Sequence, residues 1–241
     1  MAVEPAAPTG GNTSVRDRLA LALDVDDVVP AQRLAVQLRP WFGTVKIGLE
    51  LFSAAGPSIV QTMIDDGYKV FLDLKLADIP TTVERASKVL GALGVSYLTM
   101  HAFAGTPMLR AGVDGLVEGA ARAGLEPPMA LAVTILTSDA DAPPHILGKR
   151  VAVAAEARCA GFVCAAGDVR EAKALAPNLL AVVPGIRPVG VPSDDQSRAA
   201  TPGQAFAAGA DLLVVGRAVT GADDRERAAA DLTAEMVAAG A

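Results

Sequence analysis

Short apolar runs alternate along the whole chain with longer stretches of helical period. Eight runs are rich in aliphatic and β-branched residues and have the length of strands; they lie at residues 18–25, 44–48, 69–74, 96–101, 130–136, 161–165, 179–184 and 211–216. Stretches with the helical period follow them at residues 31–38, 56–66, 81–91, 107–123, 145–157, 169–175, 201–208 and 225–238. This alternation is typical of βα units that form a parallel sheet.

Eight successive βα units predict an α/β fold, a single (β/α)8 TIM barrel. A doubly wound open sheet is the alternative, but the first predicted strand is not followed by the Gly-x-Gly-x-x-Gly turn of dinucleotide-binding folds. A length of 241 residues suits one barrel. We therefore expect a flexible tail at residues 1–15 and one catalytic barrel domain at residues 16–241.

Composition and charge narrow the classes of function. No apolar stretch approaches the roughly 20 residues of a membrane helix, and the N-terminal residues lack the basic start and apolar centre of a secretory signal. The sequence thus predicts a cytoplasmic protein without membrane contact. A net charge of −6 argues against nucleic-acid binding. The spacing of Cys159 and Cys164 fits neither a disulfide framework nor a zinc site, so we expect buried thiols.

The ends of the predicted strands carry the candidate chemistry, because the active site of such a barrel lies at the carboxyl ends of its strands. Asp73 and Lys75 are two residues apart on the third strand, so both should point to the same side. A buried ion pair is weak evidence for stability, which favours a functional interpretation over a structural salt bridge. Lys46 would extend the pair into an alternating array that keeps Lys75 protonated as a proton donor. Asp78, next to Ile79-Pro80, belongs either to this site or to a helix cap.

A second group of residues follows the seventh and eighth predicted strands, which is the usual phosphate site in these barrels. Gly216 allows a close approach of the backbone to an anion, and Arg187 or Arg217 can supply a charge-assisted contact. The polar segment 188–200 is long for a βα connection and is a candidate lid, with Gln196 in reach of a phosphate, or else a plain surface loop.

Three further positions leave alternatives open. Asp24 could bind a ribose hydroxyl or act as a cap. Thr137 and Ser138 could hydrogen-bond a base edge or cap the next segment. His101 could be a base, although a packed histidine is the commoner case.

Together these segments resemble the orotidine 5′-phosphate decarboxylase family, in order and with compatible spacing from about residue 19 to residue 220. The motifs that carry the resemblance are Leu21-Ala22-Leu23-Asp24, Lys46-Ile47-Gly48, Asp73-Leu74-Lys75 with Asp78-Ile79-Pro80, Thr134 to Ser138, Pro184-Gly185-Ile186-Arg187-Pro188, Asp195-Gln196 and Gly216-Arg217. Thr81 stands where many members have Asn, and Ala77 where many have His, which leaves the interface and the subgroup open.

The resemblance implies decarboxylation of orotidine 5′-phosphate to UMP, without a cofactor or metal. Lys75 would protonate C6 of the pyrimidine, and Lys46, Asp73 and Asp78 would complete the charged network. The family pattern also implies a homodimer in which Asp78 and Thr82 reach the partner's site.

The resemblance also assigns residues to each part of the substrate. Asp24 and Lys46 would hold the ribose hydroxyls, and Thr137 or Ser138 would contact the pyrimidine. The phosphate would be surrounded by Arg187, Gln196, Gly216 and Arg217.

Two other functions compete with this one. A metal-dependent sugar-phosphate aldolase or decarboxylase of the hexulose-phosphate synthase type shares an Asp-x-Lys-x-x-Asp motif, but Lys46 would repel the magnesium ion. A non-catalytic phosphate-binding barrel would explain Gly216 and Arg217 and would leave the charged array without a purpose.

Overall fold

The computed structural model describes residues 14–139, 141–143, 145–188 and 198–240. Eight parallel strands form a closed barrel in which each strand pairs with the next and the eighth pairs with the first. The predicted (β/α)8 fold is thus confirmed. The strands are β1 (Leu19–Ala22), β2 (Thr44–Gly48), β3 (Lys69–Leu76), β4 (Tyr97–His101), β5 (Met129–Val133), β6 (Gly161–Val163), β7 (Leu180–Val183) and β8 (Leu212–Val215).

Helices surround the barrel and connect its strands. Within the described residues they are α1 (Val28–Leu38), α2 (Leu49–Ala55), α3 (Pro57–Asp65), α4 (Pro80–Gly91), α5 (Thr106–Ala123), α6 (His145–Glu156), α7 (Val169–Leu175), α8 (Pro202–Ala208), α9 (Arg217–Thr220) and α10 (Arg225–Ala238). The sequence pattern missed α2 and α9. Both are short and begin immediately after a strand, where few residues are available to show a helical period.

Alternate strand residues contribute to two separate cores, as in other closed barrels. Residues such as Leu21, Ile47 and Leu72 pack outward against the helices. The lumen holds a smaller cluster that includes Phe71 and Tyr97, whose ring centroids are 5.7 Å apart. Apolar side chains thereby fill the lumen below its polar end.

Helices α4 and α5 pack so closely that glycine is required between them. A Cβ at Gly115 would overlap the carbonyl oxygen of Glu84, and a Cβ at Gly119 would overlap that of Lys88. Only residues 77–79 separate β3 from α4. The close packing of α4 against α5 therefore also fixes the position of the turn between β3 and α4.

Several predictions concern features outside the barrel. No helix among the described residues is long and apolar enough to cross a membrane. Cys159 and Cys164 are buried free thiols, as expected, and burial raises the pKa of Cys159 to about 12. The predicted tail falls mostly on residues 1–13, outside the described residues, and its boundary at residue 16 stays a prediction. The chain is described from Ser14, which precedes a short 3-10 turn (Val15–Arg18).

Candidate active site

The carboxyl-terminal end of β3 is irregular. Leu72 pairs with Leu98 and Leu76 pairs with Met100, so three residues of β3 lie between paired positions that are separated on β4 by Thr99 alone. Within this bulge Lys75 has a φ of 51°, a left-handed conformation that few residues other than glycine adopt. Bulges near active sites commonly redirect a side chain. The regular alternation assumed from the sequence therefore does not hold at Lys75.

Four charged side chains, one just after β1, one on β2 and two on β3, nevertheless form a continuous row of alternating charge that we call the charged chain. The Lys75 ammonium donates to Oδ2 of Asp73 at 2.8 Å. The Lys46 ammonium lies 3.7 Å from the same oxygen and donates to Oδ1 of Asp24 at 2.9 Å. The structure thus brings together Asp24, Lys46, Asp73 and Lys75, as their positions at strand ends predicted.

The two middle side chains of this charged chain are buried, and the two at its ends are more exposed. Side-chain exposure is 11% for Lys46 and 14% for Asp73, but 31% for Lys75 and 59% for Asp24. Burial alone would raise the pKa of Asp73, but the attraction of Lys46 and Lys75 and hydrogen bonds from Lys75 and Thr99 outweigh it and lower the pKa below its ordinary value. Asp73 is thereby kept as a carboxylate that holds two cations, of which Lys75 is the more exposed.

Thr99 is a member of this group that the sequence reasoning missed. It is fully buried, and its hydroxyl donates to Oδ1 of Asp73 at 2.9 Å while accepting from the backbone N–H of Lys75 at 2.9 Å. The sequence did contain one indication that Thr99 faces the site. It lies two residues before His101, so both side chains point to the same face of β4.

His101 lies next to the charged chain and is partly covered by the exposed ring of Phe103, with ring centroids 4.8 Å apart. Burial lowers the pKa of His101, Lys75 and Arg150 lower it further, and Asp73 opposes them. The packed histidine considered from the sequence fits this environment.

Asp78 and Thr82 lie apart from the charged chain within the single subunit. Asp78 is exposed, and its carboxylate accepts from the backbone N–H of Ile79 at 2.6 Å. Thr82 is exposed in the first turn of α4, two residues after Pro80. This turn carries both side chains at the rim of the barrel, where another chain could reach them.

The candidate phosphate residues lie at the ends of β7 and β8. The backbone N–H of Arg187 donates to Ala200 at 2.9 Å, which ties together the two ends of the segment predicted as a lid. Arg187 itself is buried, and its guanidinium donates to the carbonyl of Ile186 at 3.0 Å. Arg217 is exposed in the first turn of α9, directly after Gly216. Gln196 and residues 189–197 as a whole lie outside the described residues.

An ideal Cβ at Gly216 would lie 3.6 Å from the Cβ of Ala22 and 3.8 Å from Oδ2 of Asp24, so the backbone here is adjacent to the open end of the charged chain. Asp24, which is expected to bind the ribose, and Gly216, which is expected to bind the phosphate, are therefore neighbours.

The segment after β5 carries the candidate base contacts. Thr137 is half-buried and Ser138 is exposed. Just before them, Arg150 on α6 donates to the carbonyl of Thr134, and the Thr134 hydroxyl donates to the carbonyl of Val163 at 2.8 Å. The start of the segment is fixed by these bonds.

The arrangement can stabilise negative charge and donate a proton. Two ammonium groups meet one carboxylate, and the more accessible ammonium belongs to Lys75. A divalent cation would compete with Lys46, which already lies between the carboxylates of Asp24 and Asp73. Within the described ranges no cluster of three or more His, Cys, Asp or Glu residues could hold a metal ion.

Comparisons with known proteins show the family to which the chain is related. The sequence profile of the orotidine 5′-phosphate decarboxylase / HUMPS family matches residues 17–232. An orotidine 5′-phosphate decarboxylase from Lactiplantibacillus plantarum is 46% identical over 204 residues, which cover 80% of this chain and 86% of that protein. One from Paramagnetospirillum magneticum is 40% identical, covering 90% of this chain and 97% of that protein. The crystal structure of the Lactobacillus acidophilus orotidine 5′-phosphate decarboxylase superposes with a TM-score of 0.75 at 33% identity and covers 91% of this chain and 99% of that one.

Proposed function

Since the chain belongs to the orotidine 5′-phosphate decarboxylase / HUMPS family, we propose that it converts orotidine 5′-phosphate to UMP, the decarboxylation that completes pyrimidine nucleotide synthesis. The observation that carries this proposal is the position of the Lys75 ammonium, which the buried Asp73 carboxylate holds at 2.8 Å. Lys75 is the more exposed cation, at the β3 end of the charged chain. The proposed enzyme is a carboxy-lyase.

The reaction needs a cation where negative charge develops. The bond between C6 of the pyrimidine and the carboxylate carbon breaks, its electron pair stays on C6, and CO₂ leaves. The Lys75 ammonium stabilises this carbanion and transfers a proton to it, which forms UMP and leaves a neutral amine that solvent reprotonates. An ammonium fixed in advance stabilises the transition state without reorganisation, which is the largest contribution in many active sites.

Asp73 has two roles in this proposal. Its carboxylate fixes Lys75 and Lys46, and it lies on the side of the pocket from which the substrate carboxylate must depart. Two carboxylates close together in a buried site repel each other, and this repulsion is relieved when CO₂ leaves.

The remaining residues bind the substrate in parts. Asp24 and Lys46 take the ribose hydroxyls; Asp24 is exposed at one end of the charged chain, and the buried Lys46 ammonium donates to it at 2.9 Å. Thr137 or Ser138 contacts the pyrimidine. The phosphate lies against Gly216, Arg217 and Arg187, and Gln196 approaches it from the segment outside the described residues.

Contacts to the phosphate lower the barrier at a distant carbon, because binding energy of a remote group can organise the site for the transition state. Arg217→Ala should therefore lower kcat as well as raise KM, so that kcat/KM falls by more than the loss of substrate affinity alone. An unchanged kcat/KM would remove Arg217 from the phosphate site.

The proposed enzyme is a homodimer, and Asp78 and Thr82 enter the partner's active site. Three large apolar side chains at the same end of the barrel support this arrangement. Leu49 is 59% exposed, Ile79 66% and Phe103 61%, and they follow β2, β3 and β4 in turn. Apolar side chains grouped in this way are typical of a protein interface.

Mixed dimers test whether Asp78 acts in the partner's site. The variants Lys75→Ala and Asp78→Asn are each expected to be inactive. If Asp78 acts across the interface, a mixed dimer has one site with both defects and one intact site, so random mixing restores about a quarter of the wild-type activity. If Asp78 acts within its own chain, every site has one defect and mixing restores nothing.

Incubation of the purified protein with orotidine 5′-phosphate tests the activity itself. Its ultraviolet band should disappear as UMP forms, and EDTA should not change the rate. Activity abolished by EDTA and restored by magnesium would favour the metal-dependent alternative, against which the position of Lys46 between Asp24 and Asp73 already argues. A cytoplasmic location stays a prediction, to be tested by cell fractionation.

A further inference from the structure

The bulge in β3 leaves Thr99 in an unusual position. Between the paired positions Leu72–Leu98 and Leu76–Met100, Thr99 faces a segment of β3 that contains both Asp73 and Lys75. Regular pairing of backbone groups is interrupted there. The Lys75 N–H instead donates to the hydroxyl of Thr99 at 2.9 Å.

The same hydroxyl orders the Asp73 carboxylate. Because the Thr99 oxygen accepts from the Lys75 backbone, its own hydrogen is available to donate, and it points to Oδ1 of Asp73 at 2.9 Å. The other oxygen, Oδ2, receives Lys75 at 2.8 Å and has Lys46 at 3.7 Å. Thr99 thus fixes both the rotation of the carboxylate and the backbone from which the Lys75 side chain extends.

We propose that Thr99 is a positioning residue for the decarboxylation, whose hydroxyl holds the Asp73 carboxylate and the left-handed backbone of Lys75 in their reactive arrangement. It does not touch the reacting atoms and acts through these two residues. This inference rests on the proposed function. It assigns a catalytic consequence to a fully buried side chain that would otherwise be counted as part of the barrel core.

The first test is Thr99→Val, which keeps the shape of the side chain and removes both hydrogen bonds. We expect kcat to fall by roughly 10- to 100-fold, the loss typical of a hydrogen bond to a charged group, with a smaller change in KM because Thr99 does not contact the substrate. Thr99→Ser retains the hydroxyl and should recover most of the lost kcat. Thr99→Cys offers only a weak hydrogen-bonding group in a similar volume and should also lower kcat, which provides a second variant if the valine variant does not fold.

The pH profile separates positioning from simple packing. The charged and titratable groups that face Asp73 are Lys46 on β2, Lys75 on β3 and His101 on β4. Loss of the hydrogen bond from Thr99, one of the contacts that lower the pKa of Asp73, raises that pKa. The acid limb of kcat/KM should therefore move to higher pH in Thr99→Val and return in Thr99→Ser.

The chain offers a matched control. Thr44 is another fully buried lumen threonine, on β2, and its hydroxyl has no hydrogen-bond partner among the described residues. Thr44→Val should leave kcat, KM and the pH profile unchanged.

Three outcomes would overturn the proposal: a folded Thr99→Val with wild-type kcat, a Thr99→Ser as impaired as Thr99→Val, or an acid limb that does not move. Failure of the proposed function would be visible separately, as a wild-type protein and a Thr44→Val variant that both leave orotidine 5′-phosphate unchanged. In that case, crystal structures of the wild type and of Thr99→Val would still test the positioning. Retention of the Lys75 backbone and of the Asp73 orientation without the hydroxyl would contradict it.

Discussion

The left-handed backbone of Lys75 predicts an inverted order of stability for two substitutions. Lys75→Ala and Lys75→Gly both remove the ammonium and its ion pair with Asp73, so the difference between them reports the backbone. At a φ of 51° alanine retains an unfavourable Cβ, whereas glycine adopts this conformation without a steric cost. We expect the glycine variant to be more stable by about 1 kcal/mol, or roughly 2–4 °C in Tm for a chain of this length.

Urea unfolding at matched protein concentration measures this difference, and Lys69 supplies the control. Lys69 is exposed on the same strand and pairs regularly with Thr44. At such a position glycine should be less stable than alanine, by about 0.5–1 kcal/mol. If the two Lys75 variants showed the same order as the two Lys69 variants, the left-handed conformation and the bulge that contains it would be refuted.

Three further predictions address packing, pH and substrate binding. Gly115→Ala should destabilise the protein by about 1–3 kcal/mol, because its methyl group would overlap the backbone of Glu84. In the control Gly148→Ala, on α6, the nearest atom to the new Cβ is a side-chain carbon at 3.5 Å. Chemical unfolding should show no loss of stability in this control. Because the pKa of Asp73 is lowered in the folded protein, its carboxylate adds stability above its ordinary pKa, and this stability is lost as the pH falls below about 4. In Asp73→Asn, the free energy of unfolding should therefore depend less on pH in the acid range. An unchanged slope of that free energy against pH would contradict the assignment. Arg217→Ala should lower kcat/KM by roughly 10- to 100-fold. To show whether the loss lies at the phosphate site, inorganic phosphite can be added to assays with a substrate that lacks the phosphate. Phosphite should activate the wild type much more than it activates the Arg217→Ala variant.

The fold could be predicted from the sequence because every strand except β3 is buried along nearly its whole length, and so on both faces. Runs such as Leu19–Ala22 and Leu212–Val215 are entirely apolar. On other strands, charged or polar residues mark the part of the strand that approaches the carboxyl-terminal end of the barrel. Lys46 and Asp73 were therefore placed at the mouth of the barrel correctly. Helix α9 could not be recognised, since its four residues span little more than one turn.

The local geometry of the site was harder to predict. Nothing in the segment Phe71 to Leu76 marks a bulge, because Lys75 adopts a conformation for which glycine or asparagine would be the usual signal. Thr99 lies between Leu98 and Met100 and has the composition of an ordinary strand residue. Its role depends on two hydrogen bonds to a neighbouring strand, which no periodic pattern encodes.

The surface proposed to contact a second subunit could not be located from the sequence pattern alone. Ile79 is apolar and follows a strand, so its pattern is that of a core residue, yet it is 66% exposed. Its exposure becomes informative only when Leu49 and Phe103 are seen at the same end of the barrel.

The turnover of Lys75→Ala with orotidine 5′-phosphate is the most direct test of whether the ammonium of residue 75 meets the carbanion at C6. A proton donor and a preorganised cation each contribute about 100-fold or more. We therefore expect a folded Lys75→Ala variant to form UMP at least about 10,000-fold more slowly than the wild type. A folded variant with turnover within about tenfold of the wild type would show that another group protonates C6.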